Sequence, residues 1–151
     1  MNWRLANYGA VLIVLEWGDF MLILRSTLIW LLFVVVAFGN GLLRQQWLEI
    51  WLPVSVVLPV SGLLLCCWIA LLCFILFPWV SQRQPGRYWA VGWGWMLLTF
   101  AFEVGFGHWG LGRSWDDLIQ VLAFWKGDFF FVVLLVSLVL PRLCAYFYRL
   151  D

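Results

Sequence analysis

Residues Val54–Val80 read VSVVLPVSGLLLCCWIALLCFILFPWV, twenty-seven positions without one Asp, Glu, Lys or Arg. About 20 predominantly apolar residues carry a helix across the hydrocarbon core of a bilayer, so this stretch reads as a membrane span. Pro53 stands at its entrance and Pro59 within its first turns. Neighbouring chain inside a membrane re-satisfies the carbonyls such prolines free, so they kink the helix rather than end it.

Three further runs have the same character. Met21–Leu43 is charged only at Arg25, Tyr88–Gly107 holds one acid, Glu103, and Phe129–Tyr148 is uninterrupted until Pro141. The sequence therefore predicts an all-α polytopic membrane protein with spans at about 21–43, 54–80, 88–107 and 129–148. Composition agrees, since 66% of the 151 residues are hydrophobic and 11% are charged, whereas a soluble domain carries about a quarter charged residues. The nine Lys and Arg are dispersed and the net charge is +1, which excludes a nucleic-acid-binding surface.

Residues 1–20 change character at Glu16-Trp17-Gly18-Asp19. The apolar run before it, Leu5–Leu15, is too short to span, so 1–20 reads as an N-terminal interfacial segment. Taking Met21 as the natural start makes it a gene-model extension instead. No small-residue cleavage site follows, which argues against a signal peptide. The transmembrane domain is then 21–151. With four spans, Arg4, Arg25, Arg83, Arg87, Arg142 and Arg149 share one side, against Arg44, Arg113 and Lys126 on the other. That asymmetry puts both termini in the cytoplasm.

Several of the thirteen tryptophans, including Trp47, Trp51, Trp109 and Trp115, sit near span ends, at headgroup level where an amphipathic indole is favoured. Trp30, Trp68, Trp93 and Trp95 fall deeper, in lipid contact or helix packing, or lining a pigment or quinone pocket. Cys66, Cys67, Cys73 and Cys144 all lie in apolar runs, with no CxxC and a single His in the chain. They read as small hydrophobes and give no zinc or bis-His haem site.

Chemistry-bearing residues concentrate at one end of the spans. Glu103 falls about 6 Å inside the end of the third span, where a bare carboxylate is expensive and must be protonated, paired or wet. It lies on a stripe of Gly92, Met96, Thr99, Glu103 and Gly107, small enough to pack on another helix. At the same end of the first span, Asn40 is expected at the depth of Glu103. Arg44, one turn further out, is expected to reach down to that carboxylate. The intramembrane polar cluster is thus Asn40, Arg44, Thr99 and Glu103.

Beyond it, His108, Arg113, Asp116 and Asp117 form an outer-face loop. On a regular helix Glu103 and His108 diverge by about 140°, but Gly105, Gly107, Gly110 and Gly112 make a break plausible. His108 reads as bonded to a loop carbonyl; the alternatives are a relay with Glu103 or one axial ligand to a pigment or haem. Ser114-x-x-Asp117 opens a short amphipathic helix on the outer surface, stopped by Gly127. The adjacent acids Asp116 and Asp117 read as dipole partners at that helix start rather than a metal site.

The segments Asn40-Gly41-Leu42-Leu43-Arg44 and Phe102-Glu103-Val104-Gly105-Phe106-Gly107-His108, with Gly112-Arg113-Ser114-Trp115 and Leu118, resemble an uncharacterised family of small bacterial four-helix membrane proteins. The resemblance covers about residues 22–148. It departs at Gln45, where an acid is expected, and again around Gln120-Val121 and Asp128. It implies a bacterial inner membrane and the same four spans, and brings no activity. The sequence contains no nucleophile, phosphate or metal motif, so the expectation is a non-enzymatic accessory or assembly subunit without a cofactor. Its partners would be the bilayer and other subunits or its own copies. A small proton-coupled carrier or channel using Glu103 and a pigment- or quinone-binding subunit using His108 are the alternatives.

Overall fold

Hydrocarbon offers a backbone N–H or C=O no hydrogen-bond partner, so an apolar run crosses it only as continuous helix. A computed structural model of the chain describes residues 3–80, 85–116, 118 and 129–149. It consists of α1 (Trp3–Leu43), α2 (Val54–Val80), α3 (Pro85–Gly105) and α4 (Phe130–Phe147), and no strand occurs among the described residues. All four helices are long and apolar enough to cross a membrane. The protein is an all-α, four-helix membrane protein.

Local chemistry explains the boundaries. Leu52 is extended (φ −114°, ψ 145°), because the ring of Pro53 disfavours helical geometry in the residue before it, and α2 starts just beyond. Pro59 and Pro78 lie inside α2 and Pro141 inside α4, none of them ending its helix. No helix boundary lies at Met21; α1 runs unbroken from Trp3 for 41 residues, about 62 Å, twice the roughly 30 Å hydrocarbon thickness. The helix continues through Glu16–Asp19, since a lone Gly18 costs a helix only about 1 kcal/mol.

The helices form a ring in the order α1, α2, α4, α3, with the closest association between α3 and α4 and the lightest between α3 and α1. In lipid the hydrophobic effect does not drive helices together, and close backbone approach and interhelical hydrogen bonds do so instead. Both are present. A β-carbon built on Gly92 would lie 2.0 Å from the Leu138 carbonyl oxygen, and one on Gly62 would lie 2.5 Å from Phe129 Cβ. The indole N–H of Trp95 donates to the Ser26 carbonyl (2.9 Å) and that of Trp30 to Thr99 Oγ1 (3.1 Å). Around them the interior is filled by Ile29, Phe33, Cys73, Phe77, Tyr88 and Cys144.

The end of the bundle that holds the α4 C-terminus, here called proximal, is tied across helices. Arg87 pairs with Asp19, Arg25 Nη1 donates to the Trp79 carbonyl (3.0 Å), and Tyr148 Oη donates to the Phe74 carbonyl (2.8 Å).

Gly92→Ala forces a methyl into backbone that cannot move aside. It is expected to destabilise the solubilised protein by about 3 kcal/mol, the upper range for overpacking. Gly94, on the same helix with open space around it, is the control, and Gly94→Ala should be neutral or stabilising by up to about 1 kcal/mol. Thermal unfolding in detergent reads both, and equal effects of the two substitutions would contradict the α3–α4 contact.

Candidate functional site

At the opposite, distal end two helices finish in the same way. α1 passes into a π-helical turn at Arg44–Leu48, and α3 into one at Phe106–Gly110. A π turn is wider than an α turn and re-aims the residues that follow. After the second, Leu111 N–H donates to Phe106 O (2.9 Å) and Arg113 N–H to Gly107 O (3.0 Å). Gly112 between them adopts φ +66°, a left-handed conformation that glycine enters without steric cost. The chain therefore doubles back, and Arg113 returns over the end of its own helix.

That reversal decides the partner of Glu103. Arg113 Nη1 stands 3.4 Å from Glu103 Oε1, with both side chains about one-third exposed (40% and 32%). The expected ion pair from Arg44 to Glu103 is replaced. Arg44 turns instead to Glu49, Nε to Oε1 3.9 Å, because the π turn after Leu43 swings its side chain toward the short helical turn Glu49–Trp51. Asn40 does not bond Glu103 either. Its Nδ2 donates across to α2, to Ser61 O (3.1 Å) and Ser61 Oγ (2.9 Å). Thr99 accepts from Trp30 at the α1–α3 seam. Each of the four residues of the expected polar cluster thus has a different partner: Ser61 for Asn40, Glu49 for Arg44, Trp30 for Thr99 and Arg113 for Glu103.

His108 bonds a loop carbonyl, as read from the sequence. Its Nδ1 lies 2.9 Å from Arg113 O; a carbonyl oxygen only accepts, so Nδ1 carries the proton. The ring stacks on Trp115 with centroids 4.2 Å apart. Glu103 and His108 hold the same residue, one through its side chain and the other through its backbone. Asp116 is exposed. Asp117, most of the expected outer-face amphipathic helix and its Gly127 stop lie outside the described residues. Of that helix the structure shows Leu118 N–H donating to Ser114 O (3.1 Å).

Asn40, Arg44, Glu103 and Arg113 nonetheless line one cavity of about 540 Å³, together with Ser61 and an aromatic wall that includes Phe38, Phe102, Phe106 and Phe129. Phe102 and Phe106 stack with planes 5° apart, and Phe38 meets both edge-on. The volume falls within the roughly 300–1,000 Å³ of small-molecule sites. Asn40 is 8% exposed, and its Oδ1 is buried with no hydrogen-bond partner among the described residues. The bond from Nδ2 to the Ser61 carbonyl fixes which end of the amide is bare. A buried acceptor left in that state costs about 1–3 kcal/mol. Among the described residues no three His, Cys, Asp or Glu side chains gather where a metal could sit.

Three features escaped the sequence reading: the Arg113 partner of Glu103, the Asn40–Ser61 bond, and a contact of 3.3 Å between the buried sulfurs of Cys73 and Cys144. Each depends on which helices adjoin or on loop geometry, and the glycine at 112 was the one local signal. Comparison with family models, curated proteins and solved structures gives no match to this chain.

A double-mutant cycle separates the two candidate partners of Glu103. Glu103→Gln with Arg113→Gln should show a coupling of about 0.2–1 kcal/mol, the range for a partly exposed pair. Glu103→Gln with Arg44→Gln should be additive in thermal stability. Coupling to Arg44 alone would contradict the site geometry.

Proposed function

We propose that this chain is a non-enzymatic accessory subunit, working packed against other proteins in a membrane assembly. The observation that carries this reading is a pair of outward-facing tryptophans at mid-span. Trp68 lies about 21 Å from one end of α2 and about 18 Å from the other, and Trp93 about 12 Å from the start of α3. They are 46% and 52% exposed. The deep, inward indoles of Trp30 and Trp95 both have acceptors; among the described residues Trp68 and Trp93 have none. Tryptophan is favoured at the headgroup level, where its N–H is wet. In the hydrocarbon an unmet donor is costly, and a neighbouring helix supplying an acceptor removes that cost. Trp93 also continues a bulky exposed stripe, Trp89, Leu97 and Phe100.

The test is extraction from native membranes in mild detergent through a small C-terminal tag, reading size, visible spectrum and co-purifying proteins together. The expected result is a stable complex with named partner subunits, weakened several-fold in recovery by Trp93→Leu while the subunit itself still folds. A colourless monomer or homodimer without partners would overturn the proposal. Transport assays on Glu103→Gln would then be the next measurement, since Glu103 lines the distal cavity.

A further inference from the structure

We propose that the distal cavity binds the headgroup of a phospholipid that carries both a phosphate and a primary ammonium, that is, a phosphoethanolamine headgroup. This inference stands apart from the subunit reading and rests on the cavity lining.

The lining carries both signs. Arg44 and Arg113 each touch one carboxylate loosely, at 3.9 and 3.4 Å. A guanidinium has five N–H donors in a planar fork, so both retain donors that match a phosphate. Opposite in character are Glu103 and the bare Oδ1 of Asn40, a side chain more than nine-tenths buried. Both accept hydrogen bonds; Glu103 is already paired with Arg113, and Asn40 Oδ1 calls for a donor. Oδ1 is closed off from water in the present conformation, so a donor reaches it by displacing the side chains that seal it. A simple anion would satisfy the arginines and leave Asn40 Oδ1 bare. A simple cation would do the reverse. A zwitterion with N–H groups satisfies both, and a quaternary choline, which has no N–H, does not.

Depth and shape favour a lipid over a soluble phosphate ester. The cavity lies at the ends of α1 and α3, level with the exposed indoles of Trp47, Trp51, Trp109 and Trp115, the residue type that concentrates at headgroup depth. Apart from Gln45 and Ser61, its remaining wall is apolar and aromatic, a surface that suits the glycerol and first methylenes of an acyl chain.

The full-length protein is reconstituted in nanodiscs holding equal parts phosphatidylethanolamine, phosphatidylcholine and phosphatidylglycerol. It is then extracted mildly, and retained lipid is counted by native mass spectrometry. One phosphatidylethanolamine should be retained about tenfold over phosphatidylcholine, the ratio that corresponds to about 1.4 kcal/mol. Asn40→Ala should bring that ratio close to one. Ser61→Ala, which keeps the Ser61 carbonyl and leaves Oδ1 bare, should preserve it. Soluble glycerophosphoethanolamine at matched concentration should fail to displace the lipid. Equal retention of all three lipids, preference for phosphatidylglycerol, or displacement by the soluble ester would each overturn the proposal. The wild-type ratios decide it even where a variant fails to fold.

Discussion

The bare Cα of Gly92 against the carbonyl oxygen of Leu138 is the contact on which the rest of the bundle depends. Helices in lipid gain little from hiding apolar surface, so the distance of closest approach governs how well they pack. With α3 seated on α4 at this point, the residues that follow along α3 are placed in turn. Trp95, one turn on, reaches the Ser26 carbonyl of α1. Thr99 takes the Trp30 N–H, and Glu103 arrives at the mouth of the distal cavity. A single absent methyl group thereby links the helix order to the position of the one acid within the third span.

The two ends of the bundle differ in how fully their polar groups are satisfied. Proximally, the Arg25, Arg87 and Tyr148 contacts are made to a facing helix and serve to hold helix ends together. Distally, the ion pairs are longer, at 3.9 and 3.4 Å, and one buried acceptor has no partner among the described residues. A fully satisfied network rigidifies; one with an unmet, buried acceptor costs stability unless something occupies the space beside it. That contrast, rather than the mere presence of charged residues, distinguishes a place for a ligand from a place for structure. The same reasoning separates Trp30 and Trp95, whose N–H groups are met inside the bundle, from Trp68 and Trp93 on its outside.

What could be read from the sequence follows from the range of each interaction. The boundaries of α2 were legible to the residue, because Pro53 and the charge-free run after it act locally. The start of α1 was not, because the few polar residues at 16–19 do not break the backbone hydrogen bonds of the helix. Glu103 stands out in the sequence by the expense of burying a carboxylate, and Asn40 by its matching depth on the first span. Their partners were not legible, because Arg44 and Arg113 are sorted by two π turns and by the left-handed Gly112, features of backbone path that no spacing rule anticipates. The pairing of Cys73 with Cys144 was invisible for a further reason: it joins α2 to α4, which adjoin only where the ring is not sequential.

The adjacency of α2 and α4 can be read from the native cysteines. Membrane-embedded protein is treated with a membrane-permeant oxidant, iodine, and mapped by peptide mass spectrometry. The structure, with sulfurs 3.3 Å apart, predicts an intramolecular link between Cys73 and Cys144, with Cys66 and Cys67 left unlinked to either. A sequential ring would set α2 and α4 diagonally. Cys144 joined to Cys66 or Cys67, or left reactive toward alkylation after oxidation, would contradict the account.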